Sequence, residues 1–227
     1  MRKEIHEVKA AIFDMDGTLT DSMYIWDIAG ETYLKSCGKT PSPNLREQLR
    51  PLSLEQAAQL FQEEYGLQQS TKEILQGFNH VVKHEYRTNV RLKPGVLPLL
   101  NLLKEKGVEM AVATSSPREI VIMVLDRLQI LPYFSHIVTC GDVGAGKDHP
   151  DVYDRAADQM ESTKESTIVF EDALHAITTA SSADYYVIGV YDTSEGINEE
   201  KIIPLCSQYL KSLEDFDPRT LPLDRKS

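Results

Sequence analysis

From Lys93 onward, short apolar runs alternate with segments of helical spacing, and this alternation restricts the fold more than any other property of the chain. Pro94-Gly95 opens a helix rich in leucine (Val96, Leu97, Leu99, Leu100, Leu102, Leu103) that stops at Gly107. Strands are predicted at Val108–Ala113, His136–Cys140, Thr167–Phe170 and Tyr185–Val190. Helices are predicted between them: one to about Gln129 with Ser116 as N-cap and Pro117 in its first turn, one from near Pro150 to Met160, and one through Ala180. Strands that are apolar throughout are those covered on both faces, and helical crossovers between them make the sheet parallel. Val8–Phe13 adds a fifth strand ahead of the series. The expected fold class is α/β, a doubly wound, Rossmann-like parallel sheet.

Residues 21–88 break the alternation. Ser53-Leu54-Glu55-Gln56 and Ser70-Thr71-Lys72-Glu73 have the form of capping boxes, Ala57, Phe61, Ile74, Phe78 and Val81 keep helical spacing, and Gly38 and Gly66 mark helix ends. The expected organisation is therefore an α/β core of residues 1–20 and 89–227 carrying a helical insertion, residues 21–88, placed to act as a cap or lid. Tyr24, Trp26 and Tyr33 are expected in that insertion's own core.

In a doubly wound sheet, ligands bind beyond the carboxyl ends of the strands. The first strand there runs into Asp14-Met15-Asp16-Gly17-Thr18-Leu19-Thr20. Two carboxylates a few ångströms apart repel by about 4 kcal/mol at an effective dielectric near 20, unless a cation binds or one acid keeps its proton. Either remedy serves chemistry: a divalent ion makes a phosphate site, and a split pair gives a nucleophile beside a general acid. Glu171-Asp172 stands at another strand end, from which carboxylates can converge on one hard cation. Thr114-Ser115-Ser116 brings hydroxyls and helix amides to a third, a common phosphate cradle. Ser116 is expected to cap the helix and Thr114 to be the better ligand.

The formal net charge of −11 and pI near 5.0 exclude the basic surface that nucleic acids or anionic membranes require. Cys37, Cys140 and Cys206 are scattered and odd in number, as in reduced cytoplasmic proteins, and no stretch has the length of a membrane span. Gly141 to Lys147 matches the start of a nucleotide-binding G-x-x-x-x-G-K loop, but Asp148 occupies the position where Ser or Thr must bind magnesium. Lys147 can still meet a phosphate as a point charge. His80 and His84 are four apart among charged neighbours and read as exposed surface.

Asp14-Met15-Asp16-Gly17-Thr18, Thr114, Lys147 and Glu171-Asp172, in that order, resemble the four motifs of the haloacid dehalogenase-like phosphatases, in particular the phosphoglycolate phosphatase and beta-phosphoglucomutase branch. The insertion resembles that superfamily's first type of cap. The resemblance implies that Asp14 attacks phosphorus and becomes an aspartyl phosphate, and that Asp16 is the general acid and then the base, its backbone carbonyl binding Mg²⁺. It implies further that Thr114 holds the transferring group, that Lys147 neutralises charge beside the nucleophile, and that Asp172 completes the metal site with Glu171 in support. Gly17, Thr18 and Ser115 are expected to line the substrate site, with Arg50 reaching it from the cap. The implied partner is a small phosphorylated metabolite, handled by a cytoplasmic monomer or weak dimer.

The sequence departs from the family pattern in places. Lys147-Asp148-His149-Pro150-Asp151 replaces Lys-Pro-x-Pro-Asp, and Ala173 and Ala176 follow the second acidic pair where serine and glycine are usual. Ala183-Asp184 replaces Ala-Gly. The mutase branch carries a cap segment resembling Gly-Val-Ser-Arg, where this chain has Pro51-Leu52-Ser53-Leu54, with leucine in place of the phosphate-binding arginine. That favours a phosphatase over a phosphomutase unless Arg50 substitutes. A non-catalytic binding protein would have lost at least one of Asp14, Asp16, Lys147 or Asp172, and all four are present.

Overall fold

The computed structural model describes residue 5 and residues 7–49 and 52–223. It divides into two compact units, Met1–Asp21 with Arg91–Ser227, and Ser22–Val90. The strands in chain order are β1 (Ala10–Phe13), β2 (Thr20–Asp21), β3 (Arg91–Leu92), β4 (Glu109–Thr114), β5 (His136–Thr139), β6 (Thr167–Glu171), β7 (Tyr186–Val190) and β8 (Gln208–Leu210).

Six of these strands form the sheet of the larger unit, in the order β5-β4-β1-β6-β7-β8, every neighbouring pair parallel. This is the doubly wound α/β sheet expected from the sequence, with one strand more. β8 was not predicted because its three residues, Gln208-Tyr209-Leu210, carry no apolar run; as an edge strand it is covered on fewer sides. β1 lies between β4 and β6, so the chain turns to opposite sides of β1 and leaves a crevice at its carboxyl end. The register sets Phe13 beside Val112 and Phe170, which brings the ends of all three strands level. The rings of Phe13 and Phe170 stack at 4.5 Å beneath that end, and residues 10–13 are fully buried.

Three crossover helices, Arg118–Arg127, Asp151–Gln159 and Leu174–Ser182, end in the same way. Beyond the first, Gln129 adopts left-handed backbone (φ 60°), its amide donates to the Asp126 carbonyl at 2.9 Å and the Ile130 amide to Leu125 at 2.9 Å. That pattern usually recruits glycine. Glu161 (φ 49°) and Asp184 (φ 75°) fill the equivalent positions of the other two, Asp184 where the family pattern has its glycine. Exposed Gln129→Gly removes a Cβ clash at some cost in unfolded-chain entropy. The expected net gain is about 0.5–1 kcal/mol, read as a higher urea midpoint with unchanged slope.

The smaller unit is helical: Tyr24–Ser36, Leu45–Leu49, Leu54–Tyr65 and Thr71–Thr88. Both predicted capping boxes are formed, Ser53 with Gln56 and Ser70 with Glu73, and Gly66 ends its helix at φ 63°. Tyr33 is buried near Phe61 (ring centroids 6.0 Å), and Tyr24 donates a hydrogen bond to Glu85 at 3.1 Å. Trp26 is different: it is half exposed, although Gly30 and Leu34, one and two turns further along the same helix, are buried. His80 and His84 are exposed. Among the described residues no helix is long and apolar enough to cross a membrane.

Candidate active site

β1 ends at Phe13, and the Asp14 amide still donates to the Phe170 carbonyl at 3.0 Å, so the first carboxylate leaves from a position fixed by the sheet. The next residues fold into a tight turn. The amides of Leu19 and Thr20 donate to the Met15 carbonyl (3.0 and 2.8 Å), the Thr20 hydroxyl donates to the same oxygen (2.9 Å), and the Gly17 amide donates to Thr20 (2.9 Å). Gly17 takes φ 88°, and a Cβ there would lie 2.3 Å from a carboxylate oxygen of Asp172. Only glycine satisfies both the conformation and the approach. The Thr18 hydroxyl donates to the other oxygen of Asp172 at 2.8 Å, tying the turn to the end of β6.

Asp14, Glu171 and Asp172 thereby converge: all three are buried, and each offers a carboxylate oxygen within 4.8 Å of the others. Lys147 is buried with them and forms ion pairs with both Asp14 and Glu171. Burial pulls the Lys147 ammonium down, but the charges of Asp14 and Glu171 outweigh it and hold the group well above its ordinary value. Burial pushes the Asp14 carboxyl up to about 8, with Lys147 opposing and the neighbouring acids adding to the rise. Asp172 is likewise raised, by burial first and then by Glu171 and Asp14. Three buried carboxylates face one ammonium, so the cluster is short of positive charge. A hard divalent cation with oxygen ligands fits that donor set.

Glu171 does more than face the cluster. One of its oxygens takes Lys147 and the Tyr153 hydroxyl (3.0 Å), and the other takes the amides of Asp172 (2.9 Å) and Ala173 (3.2 Å). Nothing in the sequence alone singles out Tyr153. It lies on the apolar face of its helix and is fully buried, where a phenol needs a hydrogen-bond partner.

Asp16 is partly buried, and the Ser116 hydroxyl donates to it at 2.6 Å. This corrects the expectation that Ser116 caps the following helix, which begins at Arg118 with Pro117 at its N-cap and no side-chain cap. The Ser116 amide is turned inward instead, donating to the hydroxyl oxygen of Thr114 at 3.0 Å, and this aims its side chain at Asp16. Thr114 is buried at the end of β4; Ser115 is exposed, 3.4 Å from the Cys140 sulfur. The stretch resembling a nucleotide loop begins in a short helix, Cys140–Val143, and its lysine is spent on carboxylates. Arg50 and Pro51 lie outside the described residues.

Residues 11–190 match the family model described as haloacid dehalogenase-like hydrolase. The chain belongs to that family. A Drosophila melanogaster protein named a probable pseudouridine-5'-phosphatase is 32% identical over 97% of this chain and 96% of its own length. The phosphorylated carbohydrates phosphatase of Thermotoga maritima is 26% identical over 86% of this chain and 90% of its own. A solved Thermotoga maritima structure assigned as a beta-phosphoglucomutase superposes with a TM-score of 0.82 at 25% identity, covering 91% of this chain and 96% of that one. With phosphatases of this kind as its relatives, the chain is a phosphoric monoester hydrolase.

Proposed function

We propose that this enzyme hydrolyses the phosphate ester of a small metabolite through an aspartyl-phosphate intermediate, with Asp14 as nucleophile. The observation that carries this reading is the buried Asp14–Lys147–Glu171 chain of ion pairs, which fixes one carboxylate at the sheet crevice with an ammonium beside it. An oxygen of Asp14 attacks phosphorus, the bond to the ester oxygen breaks, and Asp16 gives that oxygen its proton. Asp16 then takes a proton from water, which attacks phosphorus and frees Asp14 with inorganic phosphate. Lys147 offsets the repulsion between anionic nucleophile and anionic phosphate, and Thr114 and Ser115 hold the phosphoryl oxygens. Gly17 and Thr18 hold the loop close to Asp172. Asp14, Asp172 and the Asp16 carbonyl, with Glu171 behind them, would hold Mg²⁺. When bound, that ion supplies charge stabilisation to the phosphoryl oxygens.

Leu54, in place of the arginine of mutase-type caps, supports hydrolysis over transfer to a second position. The test is Mg²⁺-dependent release of phosphate from an aryl phosphate and from a panel of sugar, polyol and hydroxy-acid phosphates. Formation of a hexose 6-phosphate from its 1-phosphate in place of free phosphate would overturn it.

The metal reading has its own signature. Asp14 and Asp172 have raised carboxyls, so ionising them as pH climbs from about 4 toward 8 costs stability in the absence of a cation: the folded state binds more protons than the unfolded one over that window. In EDTA the Tm should therefore fall between pH 5.5 and 8, and millimolar Mg²⁺ should raise it more at pH 8 than at pH 5.5. Equal Mg²⁺ shifts at both values would count against a carboxylate metal site.

A further inference from the structure

Outside the acidic cluster one cation is held unusually fast. Lys93 follows β3, and its amide donates to the Leu19 carbonyl at 3.0 Å. Its side chain is largely buried, and the ammonium donates to three acceptors: the Gly17 carbonyl (2.6 Å), the Tyr191 carbonyl just beyond β7 (2.6 Å) and the Asp192 carboxylate (2.9 Å). The other oxygen of Asp192 accepts from the amide (2.9 Å) and hydroxyl (2.7 Å) of Ser194, so the anchor is itself fixed. Burial favours the neutral acid at Asp192, but the Ser194 amide and Lys93 outweigh it and hold the carboxyl below its usual range.

A simple charge pair would need only Asp192. Lys93 instead directs one proton to the backbone of the Asp14–Thr18 turn, at the glycine where any Cβ would collide with Asp172. Gly17-Thr18 is thus held from two sides, by the Thr18 hydroxyl on Asp172 and by Lys93 on the Gly17 carbonyl. The tethers run to β6 and to the end of β7, which are themselves paired in the sheet.

We propose that Lys93 is a positioning residue for the catalytic turn, holding it in register against Asp172 through the carbonyl of Gly17. The proposal rests on the reading of that turn as the nucleophile and metal loop. Lys93 touches neither the reacting atoms nor the cation; it sets the distance between the groups that do. Residues that orient metal ligands in this way typically change affinity or turnover by about 10–100-fold when removed.

The test compares K93M, D192N and K93M/D192N, measuring Mg²⁺ affinity by calorimetry without substrate, kcat and KM on an aryl phosphate, and Tm. K93M should weaken Mg²⁺ binding and lower kcat, each by about tenfold or more, with KM within about threefold of wild type. K93M/D192N removes the unpaired buried carboxylate, so its Tm should recover while Mg²⁺ affinity and kcat stay low. Recovery of wild-type Mg²⁺ affinity and kcat in the double variant would overturn the proposal, as would a K93M protein that loses Tm alone. If K93M does not fold, the double variant decides by itself. A wild-type protein without Mg²⁺-dependent turnover would overturn the catalytic reading of the turn instead, and the calorimetric comparison would still decide the role of Lys93.

Discussion

Asp14→Asn should abolish turnover, lowering kcat by at least about 10⁴-fold, while the protein folds as well as wild type or better. The first half follows from the proposed role of Asp14 as nucleophile, since an amide oxygen could not carry a phosphoryl group through such a cycle. The second half follows from charge. In Mg²⁺-free protein Asp14 is one of three buried carboxylates sharing one ammonium, and burial makes its ionised form unfavourable near neutral pH. Asparagine keeps an oxygen for Lys147, and Lys147 keeps Glu171 as its counter-charge. A Tm in EDTA equal to or above wild type, with undetectable phosphate release, is the expected pair of results. Undiminished activity would remove Asp14 from the mechanism.

Lys147→Met should do the opposite to stability. It deletes the buried cation that serves both Asp14 and Glu171, leaving two buried carboxylates without their partner. Breaking a buried ion pair from one side costs about 3–5 kcal/mol. The Tyr153 hydroxyl and the two backbone amides on Glu171 remain, so that residue keeps part of its solvation, and the lower end of the range is expected. Turnover should fall by about 10²–10³-fold, the usual effect of removing one preorganised donor that stabilises the transition state. Urea unfolding in EDTA and steady-state kinetics with Mg²⁺ would check the two effects. A variant that loses activity but keeps its urea midpoint would mean that Asp14 and Glu171 are held without the lysine.

Asp14, Glu171 and Asp172 were legible in the sequence because each follows an apolar strand run, and parallel strands bring their carboxyl ends together whatever their separation in the chain. The helical insertion was legible because capping boxes are local, and Ser53 and Ser70 obey the same rule in the folded protein. Ser116 obeyed a different demand. Its local signal was that of a cap, yet Asp16, a hundred residues away in sequence, takes its hydroxyl. Tyr153 and Lys93 were hidden for the same reason: a tyrosine on an apolar helix face and a lysine before Pro-Gly are commonplace, and only the tertiary placement of Glu171 and Gly17 gives them work. Side-chain hydrogen bonds were readable where both partners lay within four residues, as in the capping boxes, and unreadable for Ser116, Tyr153 and Lys93, whose partners lie far along the chain.

The chain leaves the sheet unit through β2 and returns through β3, and these two short strands pair antiparallel, Thr20 opposite Leu92 and Asp21 opposite Arg91. The exit and the return therefore stand side by side, closed by their own hydrogen bonds. For the larger unit, whatever lies between Ser22 and Val90 is a loop with a clasped neck. Doubling the length of such a loop costs only about 0.6 kcal/mol in closure entropy. The segment could be lengthened, shortened or exchanged for another without shifting the register of β1 against β4 and β6, on which the spacing of Asp14, Thr114 and Asp172 depends. In this architecture a lineage can try new insertions as replaceable cassettes while its phosphate chemistry stays still.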